Sequence, residues 1–507
     1  MHISHFTDQR FVIAVALTTL PFLSCGQNKK DTHTQLYEQY LSEAHARGQF
    51  NGNALVVERG EVVYQGSFGI KSIDPVAPLD LNSVFRLGSV SKQFTAMAIM
   101  MLQEQGKLEY DQDIRDFLPE LPYEGITIRH LLNHVSGLPD YNRLMDENWK
   151  TDLTFTDPKK SITGNEDCVR MLAELHPPVH FKPGQKWEYS NTGYMLLATM
   201  VARISGVSFA TYLHDHVFEP AGMSHTVVYH YVPGPDANMP DRAFGFSMGW
   251  NGVDMLPSDA HYLNAAHGDG GVFSTVGDLM KWDRILYTDK LVTRKTLEEA
   301  FTPAVLANGD TTDYGFGWFI ERTPAGKKVV HHSGGWLGFI TNIRREIDED
   351  NCIIVLTNKS TRYYGIPDDL DRIIHDEPYA LPRFYIRDPI GKTLATEGVG
   401  SAIAQYKKLK AERPQDYLFE EQELNVFGYQ LLWADRVEDA VAILRLNMEE
   451  YPRSANVYDS YGDVLLANGD TAAALTNFKK ALAMDPAFAG LQEKIKGLEE
   501  SVVPARK

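Results

Sequence analysis

The chain has 507 residues and a mass of 57.1 kDa, which at about 100–200 residues per domain predicts two or three domains. Hydrophobic residues make up 43% and charged residues 23%, a globular composition that excludes wholesale disorder, collagen and coiled coil. The 49 basic against 67 acidic residues leave −18 at pH 7 with no compensating basic cluster, which excludes nucleic acid as a partner class.

In chain order, Arg10 is followed by an apolar run from Phe11 to Phe22, too short to span a bilayer and of the length of a signal-peptide core. The run ends at Ser24 and Cys25. A small residue ahead of a cysteine at this point resembles a bacterial lipoprotein cleavage site, with Cys25 as the lipidated first residue. The alternative is a plain secretory signal with an incidental cysteine. Residues 1–24 are read as a signal peptide and 25–34 as a tether. The protein is then exported, periplasmic or anchored in the outer membrane, and meets a membrane only through lipid on Cys25. No later segment reaches about 18 consecutive apolar residues.

Gln35 to Gly48 reads as a short amphipathic helix, and Ala54–Glu58 with Glu61–Tyr64 as a hairpin turning at Arg59 and Gly60. From about residue 85 to 300 the pattern is mostly helical, stopped by glycines and prolines. The first motif, Leu87-Gly88-Ser89-Val90-Ser91-Lys92, opens a helix predicted over Ser89–Gln105 with Phe94, Ala98, Met101 and Leu102 as its buried stripe. Ser89 and Lys92 share a face there, so the ammonium can approach the hydroxyl. The helix N-terminus favours a developing alkoxide and depresses the lysine pKa. Alone, the pattern reads equally as a surface serine. The second motif is Trp187-Glu188-Tyr189-Ser190-Asn191. A phenol serves as base or proton shuttle once a cation holds it ionised or strongly hydrogen-bonded. Asn191 offers an amide to an acyl substituent or to the lysine. Alone, this is a buried tyrosine with a satisfied hydroxyl.

Other features carry less. His134 reads as a structural hydrogen-bonding residue. His214, Asp215 and His216 fall in a helix predicted over Phe209–Val217, where positions two apart face away from each other, so they are not a metal pair. The glycine-rich stretch His267–Gly271 lacks phosphate-loop spacing and reads as a loop beside the active site. Thr275 and Asp278 read as a capping box for a helix Gly277–Leu286. Cys168 and Cys352 read as unpaired, and three cysteines in all allow no disulfide framework and no four-cysteine metal site.

Strand signals return at Tyr314–Glu321, Lys328–Ser333, Phe339–Ile347 and Cys352–Asn358, with a turn at 348–351. The third motif, His331-His332-Ser333-Gly334-Gly335-Trp336, ends the second of these. Its glycines let a substrate lie against the strand edge and a backbone N–H face the reacting carbonyl. Strands at both ends with helices between predict an α+β fold: an antiparallel sheet flanked by helices, with a helical subdomain. After a linker at 376–399, residues 400–500 are helical and repeat: Gly428, Leu431, Leu432, Ala440 and Pro452 recur 34 positions on as Gly462, Leu465, Leu466, Ala474 and Pro486. That period is tetratricopeptide-like, with each helix pair burying its apolar face against a neighbour.

Ser89 and Lys92, then Tyr189 and Asn191, then His332 and Gly334, separated by 100 and 143 residues, stand in the order found in serine β-lactamase-related enzymes. Residues 50–360 resemble the class C β-lactamase and penicillin-binding-protein family of serine hydrolases. The likeness extends to Phe85–Lys92, Ile128–Pro139, Pro183-Gly184, Tyr189–Tyr194, Phe218–Met223 and Gly270-Gly271. The resemblance implies a β-lactamase/transpeptidase-like fold over 35–375 and an exported hydrolase forming an acyl-enzyme on an ester, an amide or a D-amino-acid peptide. Ser89 would be the nucleophile, and Lys92 and Tyr189 would share proton transfer. Asn191, His332, Ser333 and Gly334 would contact substrate, and the N–H groups of Ser89 and Gly335 would form the oxyanion hole. His332 stands where Lys-Thr-Gly members carry a lysine, and at neutral pH it is at most partly charged. No cofactor and no metal are implied. The expected partners are a small-molecule or peptide substrate and, where the repeats do not simply pack on the catalytic domain, a protein held by their concave surface. The rival is a cell-envelope binding protein that uses the repeats and keeps a non-catalytic hydrolase fold.

Overall fold

Strand β1 (Gly52–Glu58) is buried along nearly its whole length, so it needs an apolar layer on each face. The computed structural model describes residues 29–149, 163–229, 239–360, 364–488 and 490–502, and supplies both layers. The signal peptide and Cys25 read from the sequence lie outside these residues. β2 (Glu61–Phe68) completes the expected hairpin. Four late strands follow: β3 (Phe319–Arg322), β4 (Lys328–Trp336), β5 (Phe339–Glu346) and β6 (Asn351–Thr357). The six form one antiparallel sheet ordered β3-β4-β5-β6-β1-β2, in which Gly52 pairs with Thr357 and Val57 with Cys352. The ends of the hydrolase portion are thereby joined.

Because side chains alternate along a strand, Ala54, Val56, Ile353 and Val355 face one layer and Leu55, Val57, Ile354 and Leu356 the other. The first layer is helix α1 (Lys29–Ala46), through Tyr37, Tyr40, Leu41 and Ala44, with α5 (Ile366–Ile374), through Ile366, Leu370 and Ile373. α1 begins six residues before the predicted Gln35. His33, 1% exposed, bonds Glu58 and Asp376 through its two ring nitrogens and draws the first turns onto the sheet. The second layer is the main core. It includes α2 (Lys92–Glu104), α3 (Asn191–Ser205) and α4 (Val276–Ile285). α2 and α3 are buried almost all round, the mark of helices inside a fold. No single helix among the described residues is long and apolar enough to cross a membrane.

Some local expectations change. Thr275 caps α4 by accepting from the Asp278 N–H, but Asp278 accepts from His225 N and Thr226 Oγ1 instead of reaching back, so the capping box is only half made. The helix predicted over Phe209–Val217 is regular only to Leu213 and continues as a wide turn, His214–Phe218. His216 lies on the Tyr212 ring (4.4 Å), away from His214.

The stretch read as a linker holds α6 (Arg387–Glu397), because Ile386, Ile390 and Leu394 recur every four residues and enter a core with α7 (Val399–Glu412). Then come α8 (Glu421–Trp433), α9 (Val437–Glu450), α10 (Ala455–Ala467), α11 (Thr471–Met484) and α12 (Leu491–Val502). The 34-residue recurrence has a steric meaning. A Cβ on Gly428 would lie 2.4 Å from Leu444, and one on Gly462 2.4 Å from Phe478, so each glycine is where a helix meets its partner closely. The helical segment rests on the hairpin Phe246–Met248/Met255–Pro257, with Arg436 stacked 4.3 Å from Trp250 and Gln430 bonded to Met248 O (3.2 Å).

α4 is tied to the sheet by a buried ion pair: Arg345 Nε on β5 donates to Asp283 Oδ1 at 2.5 Å, both essentially unexposed. Asp283→Ala would leave the Arg345 charge buried and uncompensated, and urea denaturation should show a loss of about 3–5 kcal/mol. A loss under about 1 kcal/mol would place the pair with solvent-screened surface bridges.

Candidate active site

The short strand Phe85–Arg86 pairs with Val272–Ser274 and delivers the chain into the turn Gly88–Ser91. Gly88 has φ +52°, and a Cβ there would lie 2.7 Å from Gly335 N; one on Gly334 would lie 1.9 Å from Leu87 O. Glycines in the first and third motifs thus let β4 touch the turn that carries Ser89. Ser89 sits in a 3₁₀ turn and α2 starts at Lys92, three residues later than predicted. Positions three apart eclipse in such a turn, which sets Lys92 over Ser89, Nζ to Oγ 3.1 Å.

Lys92 is wholly buried. Its Nζ also donates to Asn191 Oδ1 (2.9 Å), at the start of α3, and to the backbone oxygen of Asp269 (2.8 Å). Burial lowers its pKa to about 8 against the opposing pull of Asp269 and Asp140. The 268–272 loop is fastened to α2 by Thr95 Oγ1 donating to Gly268 O (2.7 Å), and to the Gly88–Ser91 turn by Val272 N donating to Ser91 Oγ (3.1 Å). It does lie beside the site.

The Tyr189 ring lies 4.8 Å from Lys92 Nζ. The sequence suggested that a cation would hold this phenol ionised or strongly hydrogen-bonded. Burial instead raises the phenol pKa above its ordinary value, with Ser89 pulling the other way and Asp269 adding to the rise. The ring is held by His134 (4.3 Å), itself packed on Tyr314 (4.5 Å). His134 Nδ1 accepts from Ser190 N (3.1 Å), the structural role read for it.

His332 is turned away from Ser89. Its Nδ1 lies 2.6 Å from Ser333 O, and a carbonyl only accepts, so Nδ1 carries the proton and Nε2 accepts from Tyr314 OH (2.9 Å). Burial, with the Lys92 charge second, lowers its pKa to about 3. Gly334 is buried against Leu87, and Gly335 lines the Ser89 cavity. Ser333 is not brought to that cavity: it lines a separate one with Glu321, His331 and Arg344. The Ser89 cavity is lined instead by Arg86, Tyr141, Asp269 and Trp336, with Asn191 and Gly335. None of those four was singled out as a site residue. A lone acid among glycines has no periodic partner in sequence, and only its bonds to α2 and Tyr141 reveal it. Two sets of side chains spaced to hold a metal occur among the described residues, His214/Asp215/Glu219 and Glu346/Glu349/His375, and neither includes a residue of this site.

A helix-flanked antiparallel sheet presenting a serine to a buried lysine defines a serine hydrolase that works through an acyl-enzyme. Residues 35–375 match the Beta-lactamase family model, and the chain belongs to that family. It is 39% identical to penicillin-binding protein 4* of Bacillus subtilis (strain 168) over 366 residues, 70% of this chain and 78% of that protein. It is 24% identical to a D-aminopeptidase of Gluconobacter oxydans (strain 621H) over 65% of this chain and 59% of that one. The crystal structure of a penicillin-binding protein from Bacillus halodurans superposes with a TM-score of 0.56 at 26% identity, covering 68% of this chain and 99% of that one.

With a pKa near 3, the His332 ring should show no protonation in a ¹⁵N NMR titration between pH 5 and 8. A midpoint near the ordinary histidine value of about 6.5 would contradict this placement.

Proposed function

We propose that Ser89 is the acylated nucleophile and Lys92, in its neutral form, the base. The single observation that carries this is Lys92: a buried amine with two donors on Asn191 Oδ1 and Asp269 O has its remaining position directed at Ser89 Oγ. As Oγ attacks the carbonyl carbon, its proton passes to Nζ. The N–H groups of Ser89 and Gly335 receive the oxyanion; one such donor is worth about 10²–10³ in rate. The proton then reaches the leaving group through the Tyr189 hydroxyl, and a water deacylates Ser89 by the reverse relay. Asn191 positions Lys92.

The substrate we infer is an ester, an amide or a D-amino-acid peptide. The neutral, inward-turned His332 leaves the third motif without the cation that Lys-Thr-Gly members offer, which favours this range over a dedicated β-lactamase. The name of the Gluconobacter relative, a D-aminopeptidase, agrees with it. We also infer export, with lipid on Cys25, on the strength of the apolar run before it, and we take the C-terminal helices as tetratricopeptide-like units that seat a protein partner. A purely scaffolding role gives no reason for a buried lysine to be aimed at a serine.

Labelling with a fluorophosphonate or a fluorescent penicillin tests the nucleophile. Wild type should label and Ser89→Ala should not, with labelling reduced by at least about 10³-fold. Equal labelling of the two would overturn the assignment.

A further inference from the structure

Lys92 has a charged neighbour that the relay above leaves unused. The backbone oxygen of Asp269 accepts from Lys92 Nζ at 2.8 Å, so the carboxylate of that residue lies only the length of its own short side chain from the bonded oxygen. Asp269 is 8% exposed, and its loop is held by Thr95 Oγ1 donating to Gly268 O (2.7 Å) and Gly268 N donating to Gly270 O (3.1 Å). Its Oδ2 accepts from Tyr141 OH at 3.1 Å, and no lysine or arginine among the described residues is hydrogen-bonded to the carboxylate. Arg86, the other cation nearby, gives Nη1 to Asn264 (2.6 Å) and is stacked 4.9 Å from Trp336. The Cys168 thiol also faces Asp269, and burial raises its pKa. Around Lys92 stand Asp140, at the head of the helix Tyr141–Asn148, the phenols of Tyr189 (4.8 Å) and Tyr194 (5.7 Å), and the imidazoles of His134 and His332. Burial raises the pKa of both phenols and lowers that of both imidazoles, which leaves the two aspartates as the anions facing the ammonium. Of the two, Asp269 is buried and Asp140 is half-buried.

We propose that Asp269 is a positioning residue for the base: its carboxylate is the buried counter-charge of the Lys92 ammonium, and it thereby sets the pH above which Ser89 is reactive. As Ser89 Oγ bonds to the carbonyl carbon, the C=O electron pair moves to the oxyanion and the Oγ proton moves to Nζ. The ammonium so formed appears beside a carboxylate already fixed in place. With little water between them, such a pair interacts more strongly than it would on the surface. The proton is held at Nζ until the Tyr189 hydroxyl passes it to the leaving group. Burial pulls the lysine down, and the Asp269 charge is the larger of the two pulls that stop the fall at about 8. This assignment rests on the reading of Lys92 as the base and adds what tunes it.

The test is the pH profile of the acylation rate with an ester that has no titratable group, for the full chain, Asp269→Asn and Asp269→Glu. Asp269→Asn keeps the backbone oxygen and an acceptor for Tyr141 but removes the charge. Its midpoint should fall by about one unit or more, because the ammonium has lost its nearest anion. Its plateau should fall by about 3- to 10-fold, since a less basic amine is a weaker base. The variant should therefore lose less rate at pH 6 than at pH 9. Asp269→Glu, which restores the charge, should return the midpoint to within about half a unit of wild type. An Asn variant slowed equally at every pH, with its midpoint unmoved, overturns the assignment, because a merely structural role would do the same. Wild type alone gives a second check. A buried counter-charge is little screened, so the midpoint should stay within about 0.3 unit between about 0.05 and 1 M salt. A larger drift with salt would give the control to a more exposed charge such as Asp140 and overturn the assignment without any variant. A wild type with no rising limb would overturn Lys92 as the base and Asp269 with it, whereas an unmoved Asn midpoint on a rising profile overturns Asp269 alone.

Discussion

A lysine ammonium removed from water must be given acceptors, and the site of this protein is organised around that requirement. The three acceptors of Lys92 come from distant parts of the chain: Ser89 one turn back, Asn191 at the head of α3, and the Asp269 backbone in a glycine-rich loop. Each is secured separately. The Gly88 turn fits under β4, Ser190 caps α3 by accepting from Gly193 N, and Thr95 and Ser91 tie the loop to α2 and to the Gly88–Ser91 turn. Losing any of them would strand a buried charge, so the fold and the reactive group stabilise one another.

The environments drive the titratable groups apart. Burial brings Lys92 down to about 8, pushes the Tyr189 phenol up, and takes His332 down to about 3. The lysine is therefore the group able to change charge near neutral pH. The tyrosine can pass a proton but not store one, and the histidine is a hydrogen-bonding spacer. Groups pushed in opposite directions within one site are a recurring way of assigning acid, base and relay.

Much of this was legible in the residues. The pairing of Ser89 with Lys92 follows from a spacing of three, and the hairpin and late strands from β-branched runs bounded by turns. The 34-residue recurrence pointed to paired helices, and the structure adds that Gly428 and Gly462 are where such pairs meet closely. What was not legible depends on contacts between segments. Whether Ser333 faces Ser89 is decided by the register of β4 against the Gly88 turn, and the ionisation of Tyr189 by how deeply its ring is covered. The start of α1 is set by His33 reaching Glu58 and Asp376, the latter 343 residues away. Asp269 was seen only as part of a loop.

If Lys92 is the base, the reactive form of the enzyme is the one that has lost a proton from a buried ammonium. Pre-steady-state measurement of the acylation rate against pH, with an ester that has no titratable group, reads that loss directly. The rate should climb from pH 6 and level off with an apparent pKa near 8, since a lowered lysine pKa makes the neutral amine abundant above that value and scarce below it. A rate that is flat or falling over pH 6–9, or that rises only with a group titrating near the free-lysine value of about 10.4, would contradict the account.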